Sequence, residues 1–381
     1  MNPINILIVA GEPSGDLHAS DLVRNMAKLD PALKFYGIGG ELSRAVGVET
    51  LCDIGDISVF GLIEVIQHAC PIKKAFQAIL ERVDKEIPAL AILIDYPGFN
   101  LRLARELKKR SVPVAYYISP QVWAWGADRI PMIKKCVRKI FVFFKFEEEL
   151  YKKHGIDAEF VGNPIVDAAR PDLSRDEILK KYGLSNKKKT ICLLPGSRQD
   201  EMHRLLGPML GAAKKIRERL GDVQFIASKF RDLPVEFFEK ARKASGVEAM
   251  IVEGDTYNIL SVSDFAIVAS GTATLETALV GTPFVITYRT NLFTWIVANL
   301  VVNIEQAGIV NIVAGRVIVP ELLQYDATPE KLAGACLNIL ESPKRLGRMK
   351  EDLAGLRNLL GPSGASSRAA ASILGLLNEK T

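Results

Sequence analysis

Cysteine is scarce and unpatterned in this chain: Cys52, Cys70, Cys136, Cys192 and Cys336 are odd in number and never form a C-x-x-C pair. That excludes a disulfide framework or a zinc ribbon as the organising device and suits a reducing compartment. Histidine is scarcer: His18, His68, His154 and His203 stand apart, with no H-E-x-x-H spacing. There is also no Asp-x-Asp pair of the kind that grips a metal-bound diphosphate, so neither a metal nor a cofactor is expected. The beginning of the sequence lacks the basic start, apolar run and small-residue cleavage site of a signal peptide, which points to a cytoplasmic protein. The longest apolar stretch, 292–302, contains Asn299 and is about half of the roughly 20 residues that a spanning helix needs. Excess charge is small as well. A net +5 favours phosphates or anionic lipid as partners but does not by itself argue for nucleic acid.

What is present is ample apolar material. The 381 residues are 48% hydrophobic and 24% charged, enough for two packed domains. Short runs that are apolar on both faces, at 4–10, 89–94, 114–118, 139–144, 190–194, 223–227, 265–269 and 284–287, read as strands of parallel sheets covered on both sides. Segments with helical spacing, such as 72–87 and 204–220, alternate with them, which is the order of doubly wound α/β folds. The polar stretch after Asn163-Pro164, through Pro171 to Asn186-Lys187-Lys188-Lys189, separates two such patterns. The expected division is 1–164, 165–345 and a helical end at 346–381 that returns to the first domain.

Four loops follow strands and open helices, the place where α/β sheets bind ligands. The first, Ala10-Gly11-Glu12-Pro13-Ser14-Gly15-Asp16, is not a G-x-G-x-x-G fingerprint. It is either a ligand-facing turn or a tight turn capped by Ser14 or Asp16. The second, Asp95-Tyr96-Pro97-Gly98-Phe99-Asn100, sets a carboxylate at the end of a strand. Asp95 is there either a general base or the cap of the next turn. The third, Leu194-Pro195-Gly196-Ser197-Arg198, offers backbone N–H groups and a forked cation suited to pyrophosphate, unless Arg198 merely pairs with Asp200 or Glu201. The fourth, Ser270-Gly271-Thr272-Ala273, can place amides and a helix start against a diphosphate, with Glu276 one turn on toward a ribose. Capping by Thr272 with a favourable early glutamate accounts for the same residues. A further segment, Ser119-Pro120-Gln121-Val122-Trp123-Ala124-Trp125, sets two indoles two residues apart, as core packing or as a rigid wall for a sugar or acyl chain.

Taken together and in this order, the segments at 10–16, 119–125, 194–198 and 269–273 resemble the motifs of the lipid-A-disaccharide synthases. These are bacterial glycosyltransferases of GT-B architecture, with two Rossmann-like doubly wound domains facing a cleft. The resemblance implies a UDP-2,3-diacylglucosamine donor, a 2,3-diacylglucosamine 1-phosphate acceptor, a β-1,6 product and action at the inner face of the inner membrane. It implies nucleotide contacts from Gly196, Ser197, Arg198, Ser270, Gly271, Thr272, Ala273 and Glu276. Acceptor or sugar contacts would come from Ser14, Gly15, Asn100, Trp123 and Asn311, with Asp95 as general base. Two positions depart from the family pattern: Gly98 stands where a second aspartate is expected, and Ile309-Val310-Asn311 where Leu-Pro-Asn is usual. UDP-N-acetylglucosamine 2-epimerases resemble the same fold and nucleotide site, and a noncatalytic membrane-surface module is the remaining alternative. The apolar stretch 292–302, with Phe293 and Trp295, is expected to rest on the membrane.

Overall fold

The computed structural model describes residues 3–57, 69–229, 235–291 and 306–378, so the stretch 292–302 lies outside the described residues. The chain forms two compact units, one of Met1–Pro164 with Pro362–Thr381 and the other of Ile165–Gly361. The expected division after 345 is displaced. The helix Pro343–Leu359 packs on Thr272–Val280 and Pro329–Leu340 in the second unit, and only the last helix, Ala365–Asn378, packs on Pro13–Leu29 of the first.

Seven strands build the sheet of the first unit: β1 (Ile4–Ala10), β2 (Leu33–Gly39), β3 (Glu49–Asp53), β4 (Leu90–Ile94), β5 (Val114–Tyr117), β6 (Lys139–Val142) and β7 (Ala158–Phe160). All pairs are parallel, in the order β3-β2-β1-β4-β5-β6-β7. The period of two explains why β1 and β4 read as unbroken apolar runs. Leu7, Val9, Ala91 and Leu93 enter a core with Ile79, Val83, Leu103 and Leu107, whereas Ile6, Ile8, Ala10, Ile92 and Ile94 enter a second core on the opposite face. That second core is closed by Ala19, Leu22, Val23 and Met26 together with Ala369, Ala370, Ile373 and Leu376.

The second unit repeats the plan with β8 (Lys189–Leu194), β9 (Val223–Lys229), β10 (Ala249–Glu253), β11 (Phe265–Ala269), β12 (Phe284–Tyr288) and β13 (Glu321–Leu323), in the order β10-β9-β8-β11-β12-β13. Its pairs are parallel too. In each sheet the strand order turns about one pair, β1 with β4 and β8 with β11. At such a switch point the following loops leave in opposite directions and open a crevice at the carboxyl ends. Among the described residues no helix is long and apolar enough to cross a membrane.

Candidate active site

The loops after β1 and β4 meet at the switch point of the first sheet. The helix Pro13–Leu29 begins after Glu12, whose backbone is extended and whose side chain makes no cap bond, so neither Ser14 nor Asp16 is the cap. Ser14 is exposed in the first turn, whereas Gly15 is buried, with Ala10 and Ile94 against its Cα. A Cβ at Gly15 would stand 3.4 Å from Ala10 Cβ and 3.9 Å from the Ile94 side chain, ordinary contacts, so the helix start packs directly on the strand ends. Asp16 is buried as well. Its carboxylate accepts the N–H groups of Gly40 at 2.7 Å, Leu42 at 3.1 Å and Ser43 at 3.2 Å, and the Ser43 hydroxyl, pinning the loop after β2. Gly11 is obligatory, because a Cβ there would lie 2.2 Å from the Tyr96 ring.

Asp95 and Tyr96 both adopt left-handed backbone, φ 45° each, a conformation that non-glycine residues hold only when their surroundings impose it. Those surroundings are visible. Asp95 N–H donates to Tyr117 O at 3.1 Å, and its carbonyl accepts the Tyr116 hydroxyl at 2.6 Å and the Asn100 amide at 2.8 Å. Asn100 donates its other proton to Ile94 O at 3.0 Å and is fully buried. It therefore holds the Asp95 loop from beneath. The helix Pro97–Lys109 takes Tyr96 as its cap residue, so Asp95 does not cap it. Burial, reinforced by the nearby negative charge of Glu12 and partly offset by the Tyr96 N–H, pushes the Asp95 carboxyl up to about 6. Glu12 is a residue that sequence reasoning quoted but gave no role. Its signal was the carboxylate one residue past a glycine at a strand end.

The 119–125 loop follows β5, the neighbour of β4. Ser119 Oγ and Trp123 Nε1 both donate to Oε1 of Glu147, at 2.9 and 3.1 Å, and Phe144 N–H donates to Oε2 at 3.3 Å. Burial raises the Glu147 carboxyl to about 7 against these three donors. The two indoles have different fates. Trp123 is half-buried and edge-on to Phe146, whereas Trp125 is 43% exposed beneath the Arg129 guanidinium, 4.3 Å from it. Glu147 also escaped sequence reasoning, since nothing local marks a glutamate whose partners lie two dozen residues earlier.

In the second unit, β8 pairs with β11, so the loops 195–198 and 270–272 issue from adjacent strands at the same end. Gly196 has φ +119°, and a Cβ would lie 2.6 Å from Oε2 of Glu201, so only glycine makes this turn. Ser197 N–H donates to that carboxylate at 3.3 Å. Arg198 precedes the helix Gln199–Leu220, its side chain is 66% exposed, and the nearest Glu201 oxygen is 3.8 Å away. That separation leaves a loose pair that a stronger anion can displace. The helix Thr272–Val280 starts after Gly271, with no side-chain cap, so Thr272 does not cap it. Gly271, at φ +149°, and Thr272 are exposed, Ala273 is half-buried, and the Ser270 hydroxyl donates to Ala307 O at 3.3 Å. First-turn amides have no partner within their own helix and carry its positive end, so the two helix starts can meet an anion together with Arg198. Glu276 is half-buried and accepts the Tyr257 hydroxyl at 2.9 Å, and its carboxyl is raised by burial.

Asn311, expected on the sugar side, lies in an internal hydrogen-bond network. It is completely buried, donating to Val319 O at 2.8 Å and Glu321 Oε1 at 2.6 Å, and accepting from the N–H groups of Ile318 and Val319 at 2.8 and 3.0 Å. Every polar position of the amide is spent inside the protein, leaving none for a sugar. Glu321 in turn accepts the N–H groups of Ala307 and Gly308 at 2.8 and 3.0 Å, so the network braces the segment that the Ser270 hydroxyl touches. Val310, the departure from proline, is buried. Gly98 is exposed with nothing within 4 Å of a would-be Cβ, so the missing second carboxylate has left open space rather than a packed substitute.

A family model described as lipid-A-disaccharide synthetase matches residues 6–372. The lipid-A-disaccharide synthase of Syntrophus aciditrophicus is 42% identical over 100% of this chain and 99% of its own, and that of Geobacter sulfurreducens is 40% identical over 98% of each. In fold, a UDP-N-acetylglucosamine 2-epimerase from Neisseria meningitidis, solved with UDP-GlcNAc, is similar at TM-score 0.62 and 11% identity over 100% of both chains. A glycosyltransferase from Rickettsia africae is similar at 0.61 and 15% identity, again over 100% of both chains. Two Rossmann-like units and a relationship that spans nearly the whole chain lead to one conclusion: this chain is a GT-B glycosyltransferase that belongs to the lipid-A-disaccharide synthase family.

Proposed function

We propose that the enzyme joins UDP-2,3-diacylglucosamine to 2,3-diacylglucosamine 1-phosphate through a β-1,6 bond, releasing UDP, at the cytoplasmic face of the inner membrane. The observation that carries this reading is Asp95, a carboxylate of raised basicity held in left-handed backbone at a switch point. The acceptor 6-hydroxyl attacks the anomeric carbon of the donor while its proton passes to the Asp95 carboxylate. The bond from that carbon to the UDP oxygen breaks on the opposite face, inverting the centre. The charge left on UDP is met by Arg198 and by amides of Gly196, Ser197, Gly271, Thr272 and Ala273, once the diphosphate takes the place of the Glu201 carboxylate on Arg198 and the Ser197 N–H. Ser270 and Glu276 complete the nucleotide side, with Glu276 toward the ribose. Ser14 and Trp123 are the acceptor-side residues that remain partly or wholly accessible.

The test supplies both diacylated substrates and assays UDP and disaccharide phosphate together. Disaccharide without UDP, or neither product, refutes the transferase reading, and turnover of donor alone favours an epimerase. Arg198→Ala should weaken UDP binding about tenfold or more, the worth of a charge-assisted contact, and lower turnover with it. Calorimetry with UDP checks this, and unchanged affinity would remove Arg198 from the nucleotide site.

A further inference from the structure

The segment after Trp125 holds a cation with no assigned partner. Arg129 lies with its guanidinium 4.3 Å from the centre of the exposed Trp125 ring. Gly126, at φ +80°, also lies against the side chain, since a Cβ there would come within 3.2 Å of Nε and 3.3 Å of Cδ. The Arg129 N–H closes the turn on Gly126 O at 3.0 Å. The side chain thus packs against both the indole ring and a bare stretch of backbone. Among the described residues the indole is the ring it stacks on, and no carboxylate forms an ion pair with it. A guanidinium stacked in this way keeps its in-plane donors available, the geometry that suits a phosphate bound through two N–H groups.

The cation is also close to the reacting end of the first unit. The loop that carries it leaves β5, which pairs with β4, and the Tyr116 hydroxyl on β5 is bonded to the Asp95 carbonyl. The Tyr116 phenol, pushed up above all by burial, also feels both charges, Asp95 raising it further and Arg129 lowering it.

We infer that Arg129, backed by Trp125 and Gly126, is the site for the anomeric phosphate monoester of the acceptor, and that it selects a phosphorylated sugar over its unphosphorylated counterpart. This rests on the transferase reading above and names the group by which that site knows its acceptor. A sugar whose 6-hydroxyl faces Asp95 carries its anomeric substituent on the far side of the ring, and a lone cation near the same loop gives that phosphate its counter-charge. The Trp125 face supplies an apolar surface next to it.

The experiment measures Arg129→Ala, Arg129→Lys and the parent with two acceptors, 2,3-diacylglucosamine 1-phosphate and the same sugar lacking the phosphate. Arg129→Ala should raise the KM for the phosphorylated acceptor about tenfold or more, leave kcat and UDP affinity near the parent values, and barely change the KM for the other acceptor. Arg129→Lys should recover part of the loss, since it restores the charge but not the fork. Equal losses on both acceptors, or none, would overturn the inference. So would a variant that loses affinity for phosphatidylglycerol vesicles while keeping its preference between acceptors, which would make this a membrane contact. Calorimetric binding of the two acceptors without donor separates the inferences: phosphate-dependent binding lost in Arg129→Ala, with no disaccharide formed by the parent, would sink the transferase reading and leave the phosphate site standing.

Discussion

Asp95→Asn should leave a folded protein that binds UDP as the parent does and turns over about 10² to 10⁴ times more slowly, the usual worth of a positioned general base. In the parent, kcat/KM should rise with pH through about 6, where the carboxyl loses its proton, and that limb should vanish in the variant. Glu12→Gln should shift the limb to lower pH, because the Glu12 charge is one of the two causes that raise the group. Stability gives an independent sign. Asp95 titrates higher in the folded protein than in the unfolded chain, so its contribution is fully present below the ordinary aspartate range and is lost as pH climbs through 6. The Asn variant should therefore gain on the parent in unfolding free energy between pH 5 and pH 8, by on the order of 2 kcal/mol or less, with a matching rise in relative melting temperature. A variant that is less stable at pH 8, yet catalyses normally once folded, would mark Asp95 as structural.

Asn311→Ala should have the largest effect on stability, destabilising the second unit by roughly 3–5 kcal/mol, since several buried groups at about 1–3 kcal/mol each lose their partner. Those groups are the N–H of Ile318, the N–H and carbonyl of Val319, and the Glu321 carboxylate. Asn311→Asp keeps the two accepting positions but sets a second carboxylate against Glu321, so it should also destabilise. Denaturant titration followed by a probe in the second unit checks both. Unchanged midpoints with a raised KM for a sugar substrate would show that the amide faces ligand instead.

The central strands were legible because burial on both faces leaves a run such as Ile6 to Ala10 without a polar position. The outer strands were not. β2 contains Gly37, there because a Cβ would fall 1.9 Å from the Ile8 carbonyl oxygen, and two glycines in seven residues read as a turn. β3 is half-buried and opens and closes on Glu49 and Asp53, and β13 has only three residues, all half-buried. The loops that join strands to helices at the carboxyl ends of the sheets were legible by their glycines and their place after strands. The bracing bonds of Asn100 and Asn311 were not legible, because an asparagine that binds a sugar and one that braces a backbone look identical in sequence. The difference lies in partners such as Glu321 and the Asp95 carbonyl, which only the fold brings near. Glu147 was invisible for the same reason.

The return of the last helix to the first unit also has a consequence for how the protein is made. Ala369, Ala370, Ile373 and Leu376 cover the same core face as Ala19, Leu22, Val23 and Met26, and Arg368 Nε ties the helix to Val161 O at 2.9 Å. On the ribosome, therefore, the half of the molecule that emerges first is completed last. Between its own end and its closing helix lie residues 165–361, about 200 residues that take on the order of 10 to 40 seconds to synthesise. For that interval an apolar helix face that should be core stands open to solvent. A nascent chain halted before Ala365 should expose it to hydrophobic dyes and proteases, and a stop codon just before Ala365 should strike the first unit of the enzyme.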